Sequence, residues 1–341
     1  KDFQYHYNEA RCFNLAVPNI GSAKAIYYDL KALQWSIDYC RTHPHISAPI
    51  FYVLACRIGP FIRFFKKQIQ DLGGVLYVNP DGHEWMRKKW GLLVRAYWRV
   101  SEALMVRHAD LLICDSRNIE AYIKKTYARY GPKSIYIAYG ADLDRSMLAD
   151  DDPTLLEWYR EKGLEKGRYY LVVGRFVPEN SFDVMIREFM ASDSERDLAI
   201  ITTADERFLA KLRRQLHFER AERIRFVGSV YDQGLLKKIR ENAYGYLHGH
   251  TVGGTNPSLI EAMSSTDLNL LRDVCFNREA GGEGALYWNG APGDLAALIN
   301  RADEMPKEER RALGRLARKR VAESYTWEMV CGKYERLFLE K

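Results

Sequence analysis

Asp81, His83 and Glu84 lie within four residues, directly after the apolar run Val75–Val78. A carboxylate and an imidazole this close together suit orienting or deprotonating a hydroxyl nucleophile, or holding a phosphate oxygen. The plainer alternative is an Asx-type turn at Pro80-Asp81-Gly82 with an exposed histidine. In the second half of the chain Arg175 opens the turn after Tyr169–Val173. A guanidinium at the carboxyl end of a strand suits a bidentate grip on a diphosphate, against the alternative of an ordinary surface arginine. Further on, Gly253-Gly254-Thr255-Asn256-Pro257 sits between the apolar run Ala243–Leu247 and a helix-forming segment. Strand, glycine turn and helix start make an anion site: glycines admit the ligand to the backbone, and the first helical amides lack internal partners. Pro257 suits the first helical turn, and Glu261 one turn in is close enough for a sugar hydroxyl. A tight turn of any doubly wound domain would look similar. Tyr231, just after Gly228, could stack on a base or simply cover a sheet edge.

Residues at strand ends need strands to position them. In the first half, strand-like pieces occupy residues 1–20, and the buried-strand runs are Ile50–Cys56, Val75–Val78, Leu111–Cys114 and Ile135–Tyr139. Helical spacing falls at 21–43, 59–73 and 86–109, with a capped helix after Asp115-Ser116. The second half repeats the logic with strands at 169–173, 198–202, 224–227, 243–247, 268–271 and 285–288. Helices alternate with them, and helices finish the chain. The pattern predicts two doubly wound α/β domains, with a boundary near Tyr139–Asp142 and the acidic stretch Asp150–Asp152.

The bulk numbers agree with a two-domain globular protein: 341 residues, 47% hydrophobic, 28% charged, net charge +6. The six cysteines are scattered with no C-x-x-C, which argues for free thiols rather than a disulfide frame or zinc site. No apolar run reaches the ~18–20 residues a membrane span needs, and the start does not read as a signal peptide. These features lead to the expectation of a cytoplasmic protein that touches a membrane surface. Between Arg57 and His108 ten Lys/Arg stand against four Asp/Glu, interleaved with Phe61, Phe64, Phe65, Trp85, Trp90 and Trp98. That mixture suits an anionic membrane and a lipid diphosphate, a role for Trp85, Arg87, Lys88, Lys89 and Trp90. The competing readings are a solvated helix face and, further behind, single-stranded nucleic acid.

Gly-Arg-Phe-Val-Pro-Glu-Asn (174–180) and Gly-Gly-Thr-Asn-Pro-Ser-Leu-Ile-Glu-Ala (253–262) resemble the retaining GT-B glycosyltransferases. With Asn-Pro-Asp-Gly-His-Glu-Trp (79–85), Ala-Asp-Leu-Leu-Ile-Cys-Asp-Ser (109–116) and Tyr-Thr-Trp-Glu (325–328), the chain resembles bacterial, streptococcal-type β-1,4-rhamnosyltransferases of capsule and rhamnan synthesis. The resemblance implies a GT-B fold, two facing Rossmann-like doubly wound domains with a cleft between them. Its domains would be an acceptor domain over 1–141, a nucleotide-sugar domain over 142–324, and a C-terminal helix over 325–341 that packs back toward the first. The implied donor is dTDP-β-L-rhamnose and the acceptor a polyprenyl-diphosphate-linked glucose or N-acetylglucosamine, without a metal or nucleic-acid partner. Asp81 and His83 take the catalytic places. Arg175, Glu179, Asn180, Tyr231, Gly253, Gly254, Thr255, Asn256 and Glu261 take the donor places, Glu261 on the ribose. The implied location is the inner face of the cell membrane; the oligomeric state is left open, a homodimer included.

The chain departs from the family in three places. It opens at Lys1 in what reads as the later part of the first domain, without the family's N-terminal glycine-rich loop. Gly253 stands where the wider group has a Glu, and Asn180 where it usually has a Lys. The rival readings are a GT-B transferase using a UDP- or GDP-sugar, and a non-catalytic nucleotide-sugar or glycolipid binder.

Overall fold

A computed structural model describes residues 3–87, 90–203 and 205–339. The chain divides into two compact units. The first runs to Met86 and resumes from Trp90 to Tyr136; the second takes Ile137 onward together with Arg87.

In the first unit β1 (Phe3–Tyr7) and β2 (Ala10–Asn14) form an antiparallel hairpin. Asn8 and Glu9 at its tip have φ of 45° and 65°, as a tight hairpin turn demands. The sequence suggested that these residues lead into the parallel sheet. Instead the hairpin stands as its own two-stranded sheet. All of β1 is exposed, on both faces, and β2 is at most half-buried, which suits a solvent-facing ribbon and not a strand covered on both sides.

Then follow α1 (Lys24–Thr42), β3 (Ile50–Leu54), α2 (Gly59–Asp71), β4 (Val75–Asn79), α3 (Leu92–His108), β5 (Leu111–Cys114), α4 (Arg117–Thr126) and β6 (Ser134–Tyr136). The four later strands form a parallel sheet in the order β3-β4-β5-β6. One core holds it: Leu33 and Ile37 of α1, Ile62, Phe65 and Ile69 of α2, Met105 of α3 and Ile119 and Ile123 of α4 close on Phe51, Leu76, Val78 and Leu112. The sequence suggested a helix from residue 86. The helix in fact starts at Leu92, after an extended Gly91 (ψ 167°) and a 3-10 turn at Glu84–Met86. Glycine is a poor interior helix residue but a tolerated N-cap. Helices α2 and α3 cross in contact at Gly59, where a Cβ would lie 2.1 Å from the Ser101 carbonyl oxygen.

The second unit contains α5 (Pro153–Lys162), β7 (Tyr169–Val173), α6 (Phe182–Ala191), β8 (Asp197–Ile201), α7 (Glu206–Leu216), β9 (Ile224–Gly228), α8 (Gln233–Glu241) and β10 (Gly245–His248). It continues with α9 (Pro257–Ser265), β11 (Asn269–Arg272), α10 (Cys275–Gly281), β12 (Leu286–Trp288), α11 (Asp294–Glu304), α12 (Lys307–Ser324) and α13 (Trp327–Leu339). Six parallel strands lie in the order β9-β8-β7-β10-β11-β12. Numbered within the unit this is 3-2-1-4-5-6, the doubly wound order of dinucleotide-binding sheets. Alternate residues of each strand feed opposite faces. Tyr170, Val172, Leu198 and Ile200 pack with α6, α7 and α11, whereas Tyr169, Leu171, Ala199 and Ile201 pack with α5 and α8.

Contacts change over at Tyr136/Ile137, where the sequence suggested a boundary after Ala141. Ala141 N–H donates to the Tyr325 carbonyl at 2.8 Å, and Ala141 bridges to Thr326. A Cβ on Gly140 would lie 2.7 Å from the Trp327 ring. The Tyr-Thr-Trp segment therefore clamps the chain where it enters the second unit, and α13 follows directly from that clamp.

Candidate functional site

In an open parallel sheet a ligand binds beyond the carboxyl ends of the strands where the order reverses. In the second unit that point lies between β7 and β10, paired through Tyr170–Gly245 and Leu171–Tyr246. The β7 end carries Gly174 and Arg175; the β10 end carries Gly249, His250 and the glycine turn. The structure thus brings together two motifs that stand almost eighty residues apart in sequence.

The β7 turn is pinned from inside. Asn180 Nδ2 donates to the Arg175 carbonyl at 2.8 Å, and Val177 N–H donates to the same oxygen at 2.9 Å. The Arg175 side chain stays exposed above it. Glu179 and Asn180 are buried, at 3% and 5% exposure. The Glu179 carbonyl accepts from Thr251 N–H and Thr251 Oγ1, both at 2.9 Å. These two residues join the β7 turn to the β10 turn. Gly249 permits that approach, since a Cβ there would lie 2.4 Å from the Asn180 carbonyl oxygen.

Gly253 has φ 136°, which disfavours any side chain, while Gly254 and Thr255 are buried. Asn256 is the N-cap of α9. Its Oδ1 accepts from Ser258 N–H at 3.0 Å and from Ser258 Oγ at 2.8 Å. Leu259 and Ile260 N–H donate to the Asn256 carbonyl at 3.1 and 3.2 Å. This corrects the expectation that the first amides of the helix are open to an anion. Pro257 has no N–H and Asn256 takes up the next three, so backbone donors for a ligand have to come from the glycine turn ahead of the helix. The helix dipole still favours negative charge there.

Glu261 is bonded to a buried arginine: Arg240 Nη2 donates to its Oε2 at 2.5 Å, with the Glu261 side chain 39% exposed. Arg240 holds the carboxylate in place while leaving part of it to solvent. Tyr231 is 82% exposed and follows β9, two strand spacings or about 10 Å from β7. It belongs to the same end of the sheet but not to the cluster around Arg175.

Sequence reasoning gave no role to three residues here. The rings of His248 and His250 stack at 4.2 Å and 10°, and His248 is 1% exposed. Burial lowers the pKa of both; for His250, where Arg175 and Arg87 add to the effect, it falls to about 3. Asn277 of α10, fully buried, donates to the carbonyls of His250 at 3.1 Å and Arg272 at 2.9 Å. Two histidines spaced i, i+2 at a strand end were the available signal.

In the first unit the β4 end builds a second cluster. Asp81 N–H donates to Asn79 Oδ1 at 2.8 Å, an Asx turn headed by Asn79 and not the Pro80-Asp81-Gly82 turn that the sequence allowed, and Gly82 N–H donates to Asp81 Oδ1 at 2.8 Å. Asp81 and His83 both have positive φ, 56° and 48°. Left-handed backbone at non-glycine residues stores strain of the kind concentrated at functional sites. His83 packs on the Tyr122 ring at 4.1 Å, and burial lowers its pKa, which keeps the imidazole neutral near pH 7. Beneath lies Glu102 of α3, which the sequence did not single out. It is 4% exposed and accepts hydrogen bonds from Tyr122 at 2.6 Å and Tyr127 at 2.5 Å. Burial raises its pKa against the pull of the two hydroxyls and Arg99, and the charge of Asp81 raises it further.

Of the basic-aromatic residues, Trp98 and Phe65 are core, while Phe61 and Phe64 are 47% and 65% exposed. Trp85 is partly buried, with Arg99 over its ring at 5.4 Å, and Trp90 Nε1 donates to Glu84 at 3.1 Å. Arg87 is 9% exposed and groups with the second unit, which corrects its placement on a surface-seeking face. Lys88 and Lys89 lie outside the described residues. The sequence passed over Leu92 and Leu93, exposed at 82% and 89% at the start of α3. Among the described residues, no helix is long and apolar enough to cross a membrane, and no group of three His, Cys, Asp or Glu could hold a metal ion.

A family described as a domain of unknown function (DUF1972) matches residues 1–142. No curated protein matches the sequence. Solved structures do match. Sucrose-phosphate synthase from Thermosynechococcus elongatus is similar with a TM-score of 0.78 at 18% identity, over 98% of this chain and 84% of that one. A glycosyltransferase from Rickettsia africae ESF-5 reaches 0.71 at 10% identity over 96% and 83%. Anabaena HepE, solved with UDP, reaches 0.68 at 14% identity over 95% and 85%. Likeness at such identities speaks for architecture, and on that ground this chain has the GT-B fold of the glycosyltransferases.

Proposed function

We propose that this chain is a retaining glycosyltransferase that moves L-rhamnose from dTDP-β-L-rhamnose to a polyprenyl-diphosphate-linked glucose or N-acetylglucosamine, forming a β-1,4 linkage in cell-surface polysaccharide synthesis. The observation that carries the nucleotide-sugar part is the convergence of Arg175, the 253–256 turn and Glu261 on the strand-order reversal of the second unit. The rhamnose and lipid parts rest on the sequence motifs at 79–85, 109–116 and 325–328.

In this reading Arg175 and the glycine turn hold the diphosphate, and Glu261, steadied by Arg240, meets the ribose. As the diphosphate leaves, fixed positive charge takes up the developing negative charge, so that no metal is required. The acceptor 4-hydroxyl attacks from the face the leaving group vacates. Asp81 orients or deprotonates it, with neutral His83 alongside, or the departing phosphate takes its proton. Exposed Phe61, Phe64, Leu92 and Leu93 beside basic residues of α2 and α3 suit the cytoplasmic membrane surface on which a lipid-linked acceptor sits.

The test is sugar transfer from dTDP-L-rhamnose to a synthetic lipid-diphosphate glucose or N-acetylglucosamine, read by mass spectrometry. A product heavier by one rhamnose supports the proposal. HepE, one of the similar structures, was solved with UDP, which keeps a UDP-sugar as the second reading. Thermal shift with dTDP, UDP and GDP separates the two, and binding without turnover on any acceptor would favour a non-catalytic binder.

A further inference from the structure

Tyr246, His248 and His250 follow one another at every second position along β10 and its extension, so their rings form a column on one face. Tyr246 and His248 lie 6.0 Å apart at 28°, and His248 and His250 lie 4.2 Å apart at 10°. The lower end is anchored: Tyr246 Oη donates to the Val173 carbonyl and meets Ser258 Oγ, each at 3.2 Å. The upper end is His250. Its Cε1 and Nε2 lie 3.4 and 3.9 Å from where a Gly174 Cβ would be, so that edge of the ring faces the Gly174–Arg175 turn. Its carbonyl is held by Asn277 and the next residue by Glu179, which leaves the backbone little freedom.

The column carries nitrogen atoms with nothing to bond. Both ring nitrogens of His248 and Nδ1 of His250 are buried without a hydrogen-bond partner. Buried polar groups are nearly always satisfied, and exceptions concentrate where a ligand is handled. The charged groups that act on His250 are Arg175 and Arg87, with the neutral His248 ring beneath it. Two cations beside an uncharged ring whose Cε1–Nε2 edge faces the Gly174–Arg175 turn make a setting for an anion, not for a third cation.

We propose that His250 belongs to the diphosphate-binding set, presenting a ring N–H to a nucleoside diphosphate held at the Gly174–Arg175 and Gly253–Gly254 turns, with His248 fixing the plane of its ring. This rests on the nucleotide-sugar reading above. A donor at this position adds a charge-assisted hydrogen bond to phosphate oxygen, which the unphosphorylated nucleoside cannot receive.

The test compares dTDP and UDP with thymidine and uridine by calorimetry on the full chain. His250→Phe keeps a stacking ring without a donor, and His250→Gln keeps a donor without the ring. The expected result is a loss of about tenfold or more in diphosphate affinity for His250→Phe, unchanged nucleoside affinity, and partial recovery in His250→Gln. If His250→Phe does not fold, His250→Ala is measured in its place. Diphosphate affinity within twofold of wild type in the variant lacking the donor overturns the assignment and leaves the nucleotide site standing. A wild-type chain that binds neither diphosphate removes the site and the assignment together.

Discussion

The side-chain amide of Asn180 donates a 2.8 Å hydrogen bond to the backbone carbonyl of Arg175, from a position that is 5% exposed. The Asn180 side chain is therefore spent on shaping the turn that presents the arginine. Asn180→Ala should lower stability by roughly 1 kcal/mol and weaken dTDP binding through a looser turn. Chemical denaturation and calorimetry report the two effects separately. Unchanged stability and unchanged affinity would remove this bond from the design of the site.

Gly249 is held to glycine by space, not by φ. Any Cβ would overlap the Asn180 carbonyl at 2.4 Å and press on Met185. Gly249→Ala should cost about 1–3 kcal/mol or more and separate the two turns. Gly174→Ala is the control, because there the nearest atom is His250 Cε1 at 3.4 Å. Equal denaturation midpoints for the two variants would show that the turns have room to move apart.

Asp81→Asn keeps a residue type that tolerates left-handed backbone and can preserve the turn, while it removes the carboxylate proposed as the base. Turnover should fall by about 10²–10⁴ with nucleotide affinity unchanged. Transfer within a few-fold of wild type would remove Asp81 from the chemistry and assign proton removal to the departing phosphate.

Leu92 and Leu93 have almost no neighbours to lose, so Leu92→Ser with Leu93→Ser should leave the melting temperature unchanged. Binding to vesicles containing anionic lipid should weaken by roughly tenfold or more, because two apolar side chains no longer enter the interface. Equal co-sedimentation of variant and wild type would place membrane contact elsewhere.

His250 is neutral in the fold because burial, helped by Arg175 and Arg87, brings its pKa to about 3. In the unfolded chain an ordinary histidine titrates near 6.5. Between these values the unfolded chain binds the extra proton, so stability rises with pH, is complete above about 6.5, and is lost as pH falls toward 3. His248 acts in the same direction. The slope is at most about 1.4 kcal/mol per pH unit for each ring. Urea titrations of wild type and His250→Gln from pH 7 to pH 4 should diverge, the wild type losing more; parallel curves would contradict the burial of a neutral ring.

Most strands were legible in the chain because a parallel sheet covered on both faces demands unbroken apolar runs: Tyr169–Val173 and Leu111–Cys114 stand where the runs do. The β1–β2 hairpin was misplaced, since five alternating residues do not say which sheet they join. The start of α3 was set too early, since composition alone does not show that the extended backbone of Gly91 caps the helix at Leu92.

The site divides in the same way. Sequence alone determined the residue types at the strand ends, because glycine turns, a turn arginine and a Pro-Asp-Gly-His segment are local chemistry. Tertiary structure decided how those types are used. It turned Asn256 into a cap that occupies the helix amides, set Arg240 against Glu261, and stacked His248 under His250. It also buried Glu102 between two tyrosines beneath Asp81. Each of these pairings depends on which strands lie side by side and which helices cover them. Strand order is set by packing over the whole sheet, and no window of a few residues contains it.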